Sequence, residues 1–181
     1  MMQIWQIIRQ NPEEGARKLV SEYGNRLFGA ATLLCQNDSD AEELVFRTFT
    51  QAISKIKSYV PTSDFFNWLY TIMLNFWRMK LRKKHVDILF VGTPTNLPDT
   101  PAADFLDDMF GNSTCDFLLD AIKLLDPILR EIVALKYFED KSIKEIAEIL
   151  TIPVGTVKSR LYTARTELYN HLSRKKKERI K

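Results

Sequence analysis

No run of about 18 uninterrupted apolar residues occurs anywhere in the 181-residue chain, which excludes a membrane-spanning helix. The opening "MMQIWQIIRQ" lacks the leading positive charge and the long apolar stretch of a signal peptide, so an intracellular chain is expected. Cysteine is scarce: Cys35 and Cys115 lie far apart with no cysteine or histidine at metal-ligand spacing, a pattern of reduced, buried thiols. The two histidines, His85 and His171, sit in basic surroundings without a partnering acid or thiol. None of the six glycines falls in a phosphate-cradling loop, and Asp107 and Asp108 are neighbours that nothing orients as an acid and base pair. These absences leave no footing for a catalytic, metal or cofactor site, and no enzymatic activity is expected. Alternation of period two is missing as well, so the expected fold is all-α.

Positive charge is absent from one long segment. The net charge of +3 conceals segregation, because between Val86 and Asp120 there is no Lys or Arg, while seven aspartates fall there. Arg78, Lys80, Arg82, Lys83 and Lys84 form a basic cluster before this segment, and Arg174 to Lys181 forms another at the end. Pro94, Pro98 and Pro101 mark an extended linker over residues 86–112. Its scattered Leu, Phe and Met suggest that part of it docks on something. Two small helical domains, 1–85 and 113–181, follow from this division.

In the first domain Glu13 to Leu34 reads as a helix with Leu19, Tyr23, Leu27 and Ala30 or Ala31 inward. Ser39 or Asp40 is a candidate cap for the next, whose apolar set is Ala41, Leu44, Val45, Phe49, Ala52, Ile53 and Ile56. Its outer face carries Asp40, Glu43, Arg47 and Gln51, with Phe46 at the rim. That face is either solvated or suited to a basic protein partner. Asp64 caps a third helix from Phe65 to about Lys84, crowded with aromatics that read as core. The remaining stripe, Asn67, Thr71, Asn75, Arg78 and Arg82, recurs at steps of four, four, three and four along one face. Amides grading into arginines suit base edges followed by phosphates, against the plainer reading of a solvated face.

In the second domain Ser113 or Thr114 starts a helix through Leu125, and Pro127 opens another to about Tyr137. Ser142 and Glu145 form a capping box before a short helix with Ile143, Ile146, Ala147 and Leu150 inward. After a tight turn at Thr151 and Ile152, "IPVGTVKSRLYTARTEL" has Val154, Val157, Leu161, Ala164 and Leu168 on its inner face. Lys158, Ser159, Tyr162, Thr163 and Arg165 occupy the outer face, with Arg160 at its flank. Two short helices, a tight turn and a basic outer face describe a helix-turn-helix unit that reads DNA. The tail "SRKKKERIK" reads as a frayed, solvated end adding nonspecific phosphate attraction.

Three stretches, "SDAEELVFRTFTQAI", "FFNWLYTIMLNFWRMKLRKK" and "LLDPILREIVALKYFEDKSIKEIAEILTIPVGTVKSRLYTARTEL", together resemble the extracytoplasmic-function (ECF) group of bacterial RNA polymerase sigma factors, within the sigma-70 family. The likeness runs from about Tyr23 to Leu172. It implies a subunit that directs core RNA polymerase to promoter DNA. The first domain would bind the clamp of the largest subunit and open the minus-ten element; the second would read the minus-thirty-five element while resting on the flap of the second-largest subunit. On the matching positions, Asp40, Glu43 and Phe46 would meet the clamp. The loop Ser58 to Asp64 would capture a flipped base, with Tyr59 for stacking and Ser63 for hydrogen bonding. Asn75 would lie beneath that pocket, followed by Arg78 and Arg82. Lys158, Ser159, Arg160, Tyr162, Thr163 and Arg165 would form the recognition surface. Thr163 stands where the family often has an arginine, and Phe46-Arg47 where it often has Gln-Glu. An anti-sigma partner, often membrane-anchored, is implied too. The alternatives are a free-standing helix-turn-helix regulator, which leaves the Asn75 stripe and the acidic face unexplained, and an anti-sigma or adaptor protein that merely contacts polymerase.

Overall fold

The computed structural model describes residues 3–35, 37–61, 64–83 and 116–178, and every regular element among them is helical. The chain divides into two units, Met1–Asp87 and Ile88–Lys181. The linker 86–112, Ser63, His85, Cys115 and the candidate caps Ser113 and Thr114 lie outside the described residues.

The first unit contains α1 (Ile4–Gln10), α2 (Pro12–Leu34), α3 (Asp38–Lys55), a single 3-10 turn (Ile56–Ser58) and α4 (Phe65–Lys83). Helix α1 was not foreseen. It ends at Asn11, which turns the chain and caps α2, its side chain accepting from the Glu14 N–H at 3.2 Å; Pro12 follows at the first helical position. Helix α2 buries Leu19, Leu27, Ala30 and Ala31 as expected, and Tyr23 is half-buried. The cap of α3 is Asn37, whose side chain accepts from the Asp40 N–H at 2.8 Å, rather than Ser39 or Asp40. An Asn one turn upstream satisfies the same orphan N–H groups. Asp64 caps α4 as its position suggests, accepting from the Phe66 N–H at 2.8 Å.

Helix α4 is the centre of this unit. Phe65, Phe66, Leu69, Tyr70, Met73, Leu74 and Trp77 are buried on it, and large side chains of this kind each contribute about 1.5–3 kcal/mol when fully removed from water. The aromatics form one connected group. Tyr59 meets Phe65 edge-on at 5.0 Å and Trp68 at 5.1 Å, while Tyr23 lies 5.7 Å from Phe65 and 6.2 Å from Phe66. Burial is the main cause of the raised phenol pKa of both Tyr59 and Tyr23, reinforced by Asp64 and, at Tyr23, first by Glu22. The free thiol of Cys35 is buried, as expected.

The second unit contains α5 (Asp116–Leu124), α6 (Pro127–Val133) continuing into a π-helical turn (Ala134–Phe138), α7 (Ile143–Leu150) and α8 (Val154–Glu178). Leu118, Ala121, Ile122 and Leu125 pack with Leu129 and Val133 against Ala164, Leu168 and Leu172 of α8. Arg130 is buried and donates from its guanidinium to the carbonyls of Lys123 and Leu125 at 3.1 and 3.0 Å, closing the C-terminal end of α5. The predicted capping box is present: Glu145 N–H donates to the Ser142 hydroxyl and Ser142 N–H to the Glu145 carboxylate. The Ser142 hydrogen bonds hold that carboxyl below its ordinary pKa. Thr151 makes the tight turn in the left-handed region, φ 55°. Helix α8 continues unbroken through Arg174 to Glu178, where a frayed tail was expected.

Helices α1 and α2 meet where Gly15 is buried. A Cβ there would stand 2.5 Å from the Ile8 Cα, a backbone atom that cannot swing aside. Gly15→Ala is therefore expected to destabilise the chain by roughly 1–3 kcal/mol through overpacking. Gly29→Ala, where a Cβ meets nothing within 4 Å, should stabilise it by about 0.5–1 kcal/mol on helix propensity. Urea unfolding of both variants checks the contrast.

Candidate nucleic-acid interfaces

The polar stripe of α4 survives folding as a surface. Asn75 and Arg82 are exposed, and Asn67, Thr71 and Arg78 are half-buried along the same line. Thr71 spends its hydroxyl on the Asn67 carbonyl at 2.8 Å, leaving its oxygen as an acceptor. The Asn67 Oδ1 is enclosed without a hydrogen-bond partner among the described residues. An exposed amide and guanidinium, Asn75 and Arg82, and a partly sheltered amide, hydroxyl and guanidinium, Asn67, Thr71 and Arg78, form a polar track beside an aromatic core.

The loop between the 3-10 turn and α4 differs from expectation at Tyr59. Its ring is only 4% exposed, lodged between Phe65 and Trp68 with Trp5 of α1 6.1 Å away, so it packs as core and offers no face for an incoming base. The outward apolar residues among those described in the loop are Val60, 61% exposed, and Pro61. Rings bordering the loop that remain half-open are Trp5 and Trp68.

On α8 the outer face is narrower than the helical pattern predicts. Lys158 is exposed, and Tyr162, Thr163, Arg160 and Arg165 are half-buried. Ser159 is a correction: it is 1% exposed, and its hydroxyl donates to the Thr156 carbonyl at 3.1 Å. Helix α8 is packed by α5, α6 and α7, so more of its circumference is covered than a two-faced wheel allows. Val154, assigned to the inner face, is exposed at the mouth of the turn. Thr163 donates to the Ser159 carbonyl at 3.1 Å. Arg165 donates through Nε to the Tyr137 hydroxyl at 2.7 Å, with its guanidinium 5.8 Å from that ring, and so is oriented by the π-helical turn. Sequence periodicity held no signal of this pairing across 28 residues.

The acidic face of α3 is partly occupied from within. Lys80 of α4 reaches across to Asp40 at 2.7 Å and Glu43 at 3.1 Å, and Arg47 pairs with Glu43 at 3.3 Å while covering the Phe76 ring at 4.9 Å. Phe46 is left 72% exposed beside these groups. Phe76 follows Asn67 by nine residues, about two and a half helical turns, so α3 meets α4 on the side away from the polar stripe. An acidic, aromatic-rimmed face and a polar, amide-to-arginine face are thereby presented by the same unit.

Hydrogen bonds from Lys80, then its charge, pull the Glu43 carboxyl below its ordinary value of 4.5. Partial burial alone would lower the Lys80 ammonium, but hydrogen bonds and attraction from Asp40 and Glu43 outweigh it and raise the group above 10.5. A depressed carboxyl stabilises the fold above its unfolded value and loses that contribution as pH falls through the folded one. A raised ammonium stabilises below its unfolded value and loses it as pH rises through the folded one. The gap in urea midpoint between wild type and Lys80→Met should therefore be constant between 4.5 and 10.5 and shrink outside that window. Midpoints measured across the pH range check it.

Comparison with known proteins gives the family of both units. Residues 19–86 match the family model for sigma-70 region 2, and residues 118–168 match that for sigma-70 region 4. The ECF RNA polymerase sigma-E factor of Haemophilus influenzae is 30% identical over 177 residues, covering 91% of each chain. The ECF RNA polymerase sigma factor SigW of Bacillus subtilis is 28% identical, covering 91% of this chain and 92% of that one. Among solved structures, CnrH in complex with the cytosolic domain of CnrY superposes with a TM-score of 0.66 at 23% identity, covering 94% of this chain and 95% of that one. The sigma factor RpoE of Bartonella quintana, solved with the anti-sigma factor NepR, gives 0.65 at 24%, covering 87% and 96%. These last two establish the fold. With the Haemophilus influenzae relative 30% identical over nine-tenths of both chains, and region 2 and region 4 models matching the two helical units in order, the chain belongs to the ECF group of RNA polymerase sigma factors, promoter-directing proteins of the sigma-70 family.

Proposed function

We propose that the two units divide the work of promoter selection: residues 1–85 bind core RNA polymerase and read and melt the minus-ten element, residues 113–181 read the minus-thirty-five element as duplex, and residues 86–112 join them. The observation that carries this reading is the pair of opposed surfaces on the first unit. Phe46 stands 72% exposed among Asp40, Glu43 and Arg47 on one side, and Asn75 and Arg82 are exposed on the other. A large apolar side chain ringed by charge is the anatomy of a protein-binding anchor. A track of amides followed by arginines suits unpaired bases followed by backbone phosphate. A free-standing regulator has no use for the first surface, and the match of residues 19–86 to sigma-70 region 2 disfavours that alternative.

Clamp contact rests chiefly on Phe46, with Asp40 and Glu43 supplying negative charge that Lys80 partly neutralises. Minus-ten contact rests on Asn67, Thr71, Asn75, Arg78 and Arg82, with Ser63 retained from the family pattern. Tyr59 acts beneath the loop as support. On α8, Lys158 and Tyr162 lead the recognition face, Arg160, Thr163 and Arg165 flank it, and Ser159 serves packing. The unit carrying α8 rests on the flap of the second-largest polymerase subunit. The chain acts by binding and not by catalysis, without cofactor, in the cytoplasm; no described helix is long and apolar enough to cross a membrane. An anti-sigma protein, of the kind bound to the RpoE relative, is the expected regulator and would hold the chain at the inner membrane if it is membrane-anchored.

Two substitutions separate the surfaces. Phe46→Ala should weaken core polymerase binding by about 2 kcal/mol and leave the free protein's stability unchanged. Asn75→Ala should bind core normally and fail in strand opening, read by permanganate footprinting on promoters captured from randomised DNA by the wild-type holoenzyme. The reverse pattern refutes the assignment. A charge reversal at Glu43 is less informative, because it also breaks the Lys80 pair. On the second unit, Lys158→Ala should weaken duplex minus-thirty-five binding by about 1–3 kcal/mol. An unchanged salt slope then marks a base contact, and a slope shallower by about one ion marks a phosphate contact. Unaltered binding removes Lys158 from the interface.

A further inference from the structure

Arg9, the second-last residue of helix α1, reaches across the unit. Arg9 donates through Nη2 to the Tyr59 carbonyl at 2.9 Å and to the Ile56 carbonyl at 3.2 Å, and its Nε also faces the Ile56 carbonyl at 3.4 Å. Ile56 is the C-cap of α3 and Tyr59 closes the 3-10 turn that follows, so both carbonyls sit at a helix end where orphan acceptors collect. Trp5, one turn earlier on α1, lies under the guanidinium at 4.8 Å and beside the Tyr59 ring at 6.1 Å. Helix α1 itself is held against α2 by the close approach of Gly15 to the Ile8 backbone.

The segment that leaves this anchor is the loop Ser58 to Asp64. Its far end is tied to α4 by the Asp64 cap, and between the two ties Val60 and Pro61 face solvent. A loop that must receive an extruded base loses affinity if its backbone wanders, because the ordering entropy then falls on the binding step. A guanidinium suits this task better than an ammonium: its planar fork holds two carbonyls in fixed relation, whereas a lysine supplies a point charge on a flexible stem.

We propose that Arg9 is a positioning residue for minus-ten recognition, setting from α1 the direction in which the base-capturing loop departs from the end of α3. Arg9 touches no DNA in this scheme and acts through the Ile56 and Tyr59 carbonyls. The inference rests on the reading that the loop Ser58 to Asp64 and the Asn75 stripe take the unpaired minus-ten strand.

The test uses holoenzyme assembled from the full chain and core RNA polymerase. The probes are a single-stranded oligonucleotide enriched from a randomised pool on wild-type holoenzyme, and a minus-thirty-five duplex enriched in the same way. Arg9→Ala should lose about tenfold in affinity for the single strand, the equivalent of one or two net hydrogen bonds, with core and duplex affinities within about twofold of wild type. Arg9→Lys should fall between the two. Single-strand affinity equal to wild type overturns the proposal, and so does a parallel loss of core affinity, which would make Arg9 a support of the whole unit. If Arg9→Ala does not fold, the same criteria apply to Arg9→Lys. Asn75→Ala is the reference: normal single-strand binding by that variant brings down the underlying reading of the surface, whereas a weakened Asn75→Ala beside an unaffected Arg9→Ala brings down this inference alone.

Discussion

Burial of one face of α4 is the constraint from which the first unit follows. Phe66, Leu69, Tyr70, Met73, Leu74 and Trp77 lie along one side of the helix, and removing them from water requires α2 and α3 to close over them. The polar line from Asn67 to Arg82 lies outside that buried side. Asn67 to Arg82 therefore has a set orientation before any partner arrives. A preformed track of this kind reduces the ordering cost of binding a flexible strand.

Within each unit, helix ends recur as the points of fastening. Arg9 closes the carbonyls at the end of α3, and Arg130 closes those at the end of α5. Both act across elements, where a side-chain cap within the helix would secure only that helix. In the first unit the fastening borders the loop that the family pattern assigns to base capture. In the second it brings α5 onto α6, whose π-helical continuation supplies Tyr137 to orient Arg165 on α8. Packing and recognition are linked through a few donors whose partners are backbone carbonyls or a phenol.

Much of this was legible beforehand. The all-helical class, the turn-bounded α7 and α8, the Ser142–Glu145 box and the Asp64 cap all arise from interactions within four residues, which a linear pattern records. The buried set Val157, Leu161, Ala164 and Leu168 followed from periodicity in the same way. What escaped depended on distance along the chain. Lys80 meets Asp40 across 40 residues and Arg9 meets Tyr59 across 50. Helix α1 was missed because seven residues hold too few turns for a period to show, and it is stabilised by docking against α2. With it went the reason why Tyr59 is core.

By itself the sequence determined the helical faces, the order of the two units and the family, because those reside in local spacing and in motifs that a chain carries whether or not it is folded. Tertiary structure decided which members of each face are reachable. Periodicity states the angle at which a side chain leaves its helix, but not how much of that helix its neighbours cover. Ser159 and Lys158 are adjacent on α8, yet one is enclosed against the packed helices and the other projects into solvent. Tyr59 and Val60 part in the same way, because a ring that can be buried among Trp5, Phe65 and Trp68 gains more from leaving water than from waiting for a base.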